Sequence, residues 1–257
     1  MSIIDRKIRQ KEEVRANILD TAWGLVVAEG WHSFSIRKIA DAIEYSVPVI
    51  YSHFENKDAI LLEFNRKGFS LLTQALAEAK AGQSNPADQI RAMGRAYWKW
   101  AFANKEYYQL MFGLGIPTCE AVRKIPAMAE FSAVITGSII AMAPAGKKPP
   151  FNPFLKYQSF WSMLHGLVSI NMVAVTGKTG GHEGLPEQVL EDVMCSFIRG
   201  IQAAESQAGE DEQSEDGHVG DGHGSSEGGH IGDEHASGGH VGEGDAGEGA
   251  GDSSKLA

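Results

Sequence analysis

The sequence predicts an all-α protein that ends in a disordered tail, and three observations carry that prediction. Apolar residues recur at spacings of three and four through residues 1–204, with no convincing run of strand alternation. Serines, Asn56 and prolines stand where helices would open, and Gly30 stands where one would close. After Gly209 the composition turns to Gly, Asp, Glu, Ser and His, with almost no large apolar residue to offset the entropy of ordering the chain.

Taken in order, Val14, Ile18, Ala22, Leu25 and Val26 line one face of a first helix that stops near Gly30. Ser35 caps a short second helix whose apolar face is Ile36, Ile39, Ala40 and Ile43. After a tight turn Ser46 caps a third, and Pro48 falls in its first turn, where a missing N–H breaks no intrahelical bond. A fourth helix begins around Asn56 and runs to about Ala79, ending in the linker-like segment AGQSNP. Pro86 opens a helix through Asn104, followed by KEYYQLMFG, and another lies between Pro126 and Ala143. Residues 143–152 read as a loop. Two long helices remain, Pro153 to about Thr176 and Pro186 to about Ala204. The segment 154–176 is apolar but carries Lys156, Gln158, His165 and Asn171, which suits a buried helix better than a membrane span.

The formal net charge of -10 at pH 7 is misleading as an average. Residues 205–257 hold 14 acidic residues and one basic, Lys255, so residues 1–204 hold the remaining 22 basic and 19 acidic, a net of +3. The acidity belongs to the tail, and the helical part retains the charge balance needed to approach a polyanion. Cys119 and Cys195 have no metal-ligand spacing around them, which suggests neither a disulfide framework nor a zinc site and fits a reducing cytoplasm. The charged amino terminus lacks the apolar core of a signal peptide.

The second and third helices have the layout of a helix-turn-helix. Arg37 and Lys38 stand in the first turn of the second helix and Lys57 in the first turn of the fourth, where the helix dipole disfavours cations by roughly 0.3–1 kcal/mol each. A phosphate shared between those helix ends and the basic side chains gives that placement a reason. On the third helix Tyr45, Ile50 and Phe54 are expected to turn inward, leaving Val47, Pro48, Val49, Tyr51 and His53 toward a DNA groove. Tyr51 and His53 are phosphate-type donors, and the valines can pack on thymine methyls. The alternative is a plain helical bundle whose Tyr51 and His53 are merely surface residues.

The run FSIRKIADAIEYSVPVIYSHFENKDAILL, residues 34–62, resembles the DNA-binding domain of the TetR family of bacterial transcription regulators. The matching positions are Ser35, Tyr51, His53, Phe54 and Lys57. The resemblance implies that Ser35, Arg37, Lys38, Ser46, Val47, Pro48, Val49, Tyr51, His53 and Lys57 form the DNA-binding face. Glu44 departs from the pattern, since many members have Gly in that turn, and a non-glycine residue held left-handed there would cost about 1–2 kcal/mol.

Two further stretches, residues 96–113 and 160–172, resemble the family's carboxy-terminal domain of the Trp-His-Gly type, with Trp161, His165 and Gly166 as the motif. The implied organisation is a DNA-binding domain over 1–57, a connecting helix and linker over 58–85, a ligand-binding and dimerisation domain over 86–204, and a tail over 205–257. The last two long helices would pair with their copies in a homodimer, which sets two recognition helices about 34 Å apart on a palindromic operator. The candidate effector contacts are Trp98, Phe102, Tyr108, Met111, Phe112, Trp161 and His165, and an apolar, aromatic lining suits a hydrophobic or planar molecule. For His165 a second reading is a core residue whose ring N–H bonds a backbone carbonyl, with Gly166 permitting close helix contact.

The tail repeats a unit three times, GHVGDGH, GHIGDEH and GHVGEGD, beginning at Gly217, Gly229 and Gly239. His218, His223, His230, His235 and His240 make metal binding one reading, a solvating spacer a second, and competition of the acidic run with DNA a third. No nucleophile elbow, phosphate loop or HExxH motif appears, so no enzyme and no cofactor are expected. The expectation is a DNA-binding regulator, a repressor released by a small effector, with a metal-responsive protein acting through the tail as the alternative.

Overall fold

The structure is a computed structural model that describes residues 3–113, 126–174 and 184–216. Among these residues the regular structure is entirely helical: α1 (Ile3–Glu29), a 3₁₀ turn (Trp31–Ser33), α2 (Ile36–Ala42), α3 (Val47–His53), α4 (Lys57–Ala81), α5 (Pro86–Ala103), α6 (Lys105–Phe112), α7 (Pro126–Ile140), α8 (Pro153–Ala174) and α9 (Leu185–Asp216). The expected all-α architecture is what the chain adopts.

The first three helices enclose a small core. Ile18, Ala22 and Val26 recur every fourth residue along α1 and meet Ile39 and Ala40 of α2, Ile50 of α3 and the flanking Phe34 and Phe54, all buried. α2 and α3 are too short to persist alone, so packing against this α1 stripe is what holds them.

α4 begins under the same core through Ile60, Leu61 and Phe64, then continues as the central helix of the second half, packing on α5, α6 and α7. Its contact with α6 is close because residue 68 is glycine: a Cβ there would lie 2.5 Å from Met111 Sδ. The AGQSNP segment is a tight turn rather than an extended linker. Asn85 caps α5 by accepting from Ala87 N–H at 2.8 Å, and Gln89 reaches back to the Gln83 carbonyl at 3.0 Å. α5 also packs on α8 and α9, where Gly94 makes room for Met194, and Arg95 of α5 binds the Glu191 carboxylate of α9 with two hydrogen bonds.

One boundary differs from the sequence reading. α9 continues to Asp216, past the end expected near Ala204. Its added stretch, ESQAGEDEQSED, is rich in residues that sustain a helix but has no apolar period to reveal one. Cys195 is a free thiol on α9, whereas Cys119 and the five tail histidines lie outside the described residues.

Candidate nucleic-acid interface and ligand core

The turn between α2 and α3 sets how the third helix projects. Glu44 has φ 59°, the left-handed conformation that the sequence left open. Tyr45 N–H bonds the Ala40 carbonyl at 3.0 Å and Glu44 N–H bonds Asp41 O at 3.3 Å, which together close α2 as a Schellman motif. Those two bonds satisfy carbonyls at the helix end and offset part of the strain.

That geometry corrects the placement of Tyr45. It lies in the cap, ahead of α3, so the period of α3 does not govern it, and its side chain is 44% exposed instead of inward. Ser46 occupies the N-cap position of α3, but its hydroxyl makes no capping bond. Pro48 offers no N–H to cap, and Val49 N–H is already bonded to the Ser46 carbonyl at 2.9 Å. The Ser46 hydroxyl is thereby left at the surface. Ser35, in contrast, caps α2 through Lys38 N–H at 3.2 Å.

Along α3, Ile50 is buried, Pro48 and Tyr51 are exposed, and Val47 and Val49 are half-buried, Val47 resting on the core. Arg37 projects exposed from α2, with no ion pair among the described residues. The other two cations have partners within the chain. Lys38 Nζ lies 2.7 Å from Glu29, whose carboxyl it holds below its ordinary pKa, and Lys57 Nζ sits 5.0 Å from the centre of the Phe34 ring. Neither requires a phosphate to explain its position, contrary to the argument from helix ends, although both remain exposed. His53 is half-buried toward α1, and its pKa is lowered by burial first and then by Lys11 and Arg15.

The second constellation lies between α5, α6 and α8. Tyr97 and Tyr108 hydroxyls are 3.1 Å apart, Tyr108 Oη is 2.7 Å from His165 Nδ1, and His165 Nε2 is 3.5 Å from Ser169 Oγ. With Nδ1 accepting from Tyr108, the opposite nitrogen of the neutral ring donates toward Ser169. Burial lowers the pKa of His165 and raises those of both tyrosines, keeping the chain of groups neutral. The Trp161 indole stacks on the His165 ring at 5.6 Å, and Phe112 packs 5.0 Å from it. The indole Nε1–H is buried and completes no well-formed hydrogen bond among the described residues, though it lies near enough to the Tyr97 hydroxyl to oppose part of the rise in that phenol's pKa.

His165 is therefore not tied to a backbone carbonyl: its partners are the side chains of Tyr108 and Ser169. A Cβ on Gly166 would meet nothing within 4 Å, so this glycine does not serve a close helix contact among the described residues. Of the expected effector contacts, Tyr108, Phe112, Trp161 and His165 come together. Trp98 and Phe102 pair with each other at 4.5 Å, and Met111 packs where Gly68 makes room.

A feature absent from the sequence reading is a cleft of about 410 Å³ between α1, α4 and α6. It is floored by Trp23, Phe64 and Tyr107, bordered by Asp20, Arg66 and Lys67, and includes none of the expected effector residues. Its aromatic floor unites residues far apart in sequence, and no local pattern signals that meeting.

An exposed recognition helix on a three-helix head, joined through one long helix to a second helical body, defines a helix-turn-helix transcription regulator. Residues 18–64 match the family described as bacterial regulatory proteins, tetR family, and residues 90–194 match the Tetracyclin repressor-like C-terminal domain. The chain belongs to the TetR family, with a carboxy-terminal domain of the Trp-His-Gly type. It is 26% identical over 102 residues to the HTH-type transcriptional activator FasR of Mycolicibacterium smegmatis; the match covers 40% of this chain and 47% of that relative. The chain thus spans about half the length of that curated relative. Among solved structures, a tetR-family regulatory protein from Rhodococcus RHA1 is 19% identical with a TM-score of 0.52, covering 73% of this chain and 96% of its own. FadR from Bacillus subtilis, in complex with stearoyl-CoA, is 15% identical with a TM-score of 0.56, covering 72% and 98%.

Among the described residues no group of three or more His, Cys, Asp or Glu could hold a metal, and no helix is long and apolar enough to cross a membrane.

Proposed function

We propose that this DNA-binding regulator is a homodimeric repressor, released from a palindromic operator by a hydrophobic or aromatic effector. In this reading residues 1–57 contact DNA and residues 86–204 bind the effector and the second subunit. The observation that carries it is the outward face of α2 and α3. Arg37 is exposed and has no ion pair among the described residues, Tyr51 is 49% exposed, and Pro48 and Ser46 stand clear of the core. Tyr51, Arg37 and Lys57 serve backbone phosphates, while Pro48 and the valines give shape and methyl contacts, so specificity leans on groove geometry as well as base edges.

The dimer reading rests on α8 and α9. At 100° per residue, Leu155, Ser159, Ser162, Gly166 and Ile170 share one face of α8, and Leu155 and Ile170 are 61% and 70% exposed. Val189, Val193, Ser196 and Gly200 share one face of α9, and a Cβ on Gly200, as on Gly166, would meet open space. Two adjacent helices that expose apolar ends around small residues suit close packing against a second copy.

The effector region is the core around Phe112, Trp161 and His165, with the Trp161 indole N–H as a polar handle. FadR carries an acyl-CoA, so long-chain acyl thioesters are the first apolar ligands to try. The discriminating experiment is gel retardation of DNA flanking the protein's own gene, with Tyr51→Phe and Lys57→Ala beside the wild type. Specific retardation weakened by both substitutions supports the reading, and no retardation of any fragment at low salt sinks it. Transcription of the flanking gene rising on deletion of this one identifies repression; a fall identifies activation.

A further inference from the structure

The amino-terminal half of α1 is not explained by the fold. Residues 3–13 are all exposed, and the buried positions of the helix begin only at Ile18. At 1.5 Å per residue, those eleven residues carry the helix about 16 Å beyond its packed part. What this extension does is form one wall of a cleft of about 360 Å³, lined by Lys7, Gln10, Lys11 and Val14 of α1 and by Ser52 and His53 at the end of α3.

The cleft concentrates positive charge without neutralising it. Lys7 and Lys11 are four residues apart and therefore lie on one face of α1. Among the described residues neither has an ion pair. The next position on that face, Arg15, is turned away: it binds Glu63 at 2.9 Å and lies 4.3 Å over the Phe54 ring. Opposite the lysines, His53 Nδ1 is buried with no hydrogen-bond partner among the described residues. Two ammonium groups of like sign along one wall repel each other, and an anion seated between them replaces that repulsion with attraction, with Ser52 and His53 forming the opposite wall. The same two elements supply the location, because Tyr51, Ser52 and His53 end the helix proposed to enter the groove. A cleft beside them adjoins the sugar–phosphate backbone of the groove's edge.

We infer that the cleft between Lys7, Lys11 and His53 receives a backbone phosphate of the operator, so that α1 forms part of the DNA footprint alongside α2 and α3. This rests on the DNA-reading face proposed above but adds a contact outside the helix-turn-helix. The occupant is duplex backbone rather than a base edge, so the contact strengthens binding without choosing sequence.

The test uses the full-length chain and a duplex that it retards, comparing wild type with Lys7→Ala/Lys11→Ala. Lys99→Ala/Lys105→Ala removes the same charge far from this cleft and serves as control. The α1 positions are exposed, so circular dichroism should find both variants folded. The Lys7/Lys11 variant should bind specific and random duplex less tightly by a similar factor, on the order of three- to tenfold near 0.1 M salt. The slope of log K against log salt should become shallower by about one unit per lost phosphate contact. Methylphosphonate substitution along the flanking backbone locates the contact: one position should weaken wild type and control but not the variant. If the Lys7/Lys11 variant matches the control in affinity and slope while wild type binds normally, the cleft is no phosphate site, though the DNA-reading face stands. If wild type retards no duplex at all, both readings fall.

Discussion

The indole of Trp23 on α1 stacks on the phenol ring of Tyr107 on α6, with ring centroids 3.8 Å apart and planes 22° from parallel. This pair joins the DNA-binding head to the second helical body directly, independently of the covalent path through α4. A hydrogen bond from Trp31 Nε1–H to the Glu106 carbonyl at 2.9 Å adds a second tie to the same helix. Burial, and after it the nearby Asp20 carboxylate, pushes the Tyr107 phenol up to about 12, so the stack is neutral throughout the physiological range. Trp23→Leu and Tyr107→Leu should each destabilise the chain, and the double variant should lose less than the sum. The missing increment should be about 0.5–1.5 kcal/mol, the aromatic contribution beyond area burial. Urea unfolding of the four proteins checks it, and strict additivity would mean that the rings are adjacent without being coupled.

His165 should make stability depend on pH in a defined window. Burial lowers its folded pKa below the ordinary value near 6.5, so on acidification the unfolded chain takes up the proton first. The neutral ring's contribution is therefore complete above the unfolded pKa and is lost as pH falls from that value through the folded one. His165→Gln keeps an acceptor for Tyr108 and a donor for Ser169 but does not titrate. Its stability should fall less than that of wild type between about pH 7 and pH 5. His53, also lowered, is common to both proteins and cancels in the difference. Equal pH slopes from urea midpoints would exclude His165 as a contributor.

The parts of the molecule legible in sequence are those whose causes are local. The α1 stripe, the Ser35 cap and the left-handed demand at Glu44 depend on residues within a few positions of one another, and the structure realises them. Distant partners were invisible to sequence: Glu29 beside Lys38, Phe34 beside Lys57, and Tyr108 in place of a backbone carbonyl for His165. Tyr45 was misplaced for a different reason, because a helical period was extended one residue into a cap. The carboxy-terminal turns of α9 carry acidic and polar residues with no apolar period, so no sequence signature marks them. The meeting of Trp23 with Tyr107 depends wholly on how α1, α4 and α6 pack, information that no single segment contains.

Glu44 offers a substitution that should stabilise the head. Its φ of 59° costs a residue with a Cβ about 1–2 kcal/mol, while glycine adopts the same angle freely and gives back part of that gain through a more flexible unfolded chain. The side chain is exposed, with no ion pair among the described residues. Glu44→Gly should therefore raise stability by about 0.5–1 kcal/mol, measured by thermal or urea unfolding. Because the Schellman bonds from Glu44 and Tyr45 involve only backbone, the direction of α3 should persist and DNA affinity should not fall. A loss of stability would show that the Glu44 side chain has a role beyond the turn.

The proposed interface predicts that one exposed residue controls assembly. Ile170 is 70% exposed on the face that also holds Leu155, Ser162 and Gly166, an arrangement costly to leave in water but suited to a second α8. Ile170→Glu places a carboxylate in that contact and, in a two-fold arrangement, two of them, each desolvated without a partner. Sedimentation equilibrium should show dimerisation weakened at least tenfold toward monomer, while far-ultraviolet circular dichroism remains helical because the side chain is exposed and not part of the buried core. Operator affinity should fall more steeply than the dimer constant alone requires at low protein concentration, since both half-sites must be engaged together. Lys156→Ala, half-buried on α8 outside the Leu155–Ile170 stripe, serves as a control for general damage to α8. An Ile170→Glu protein that sediments as wild type would move the subunit contact away from this face of α8.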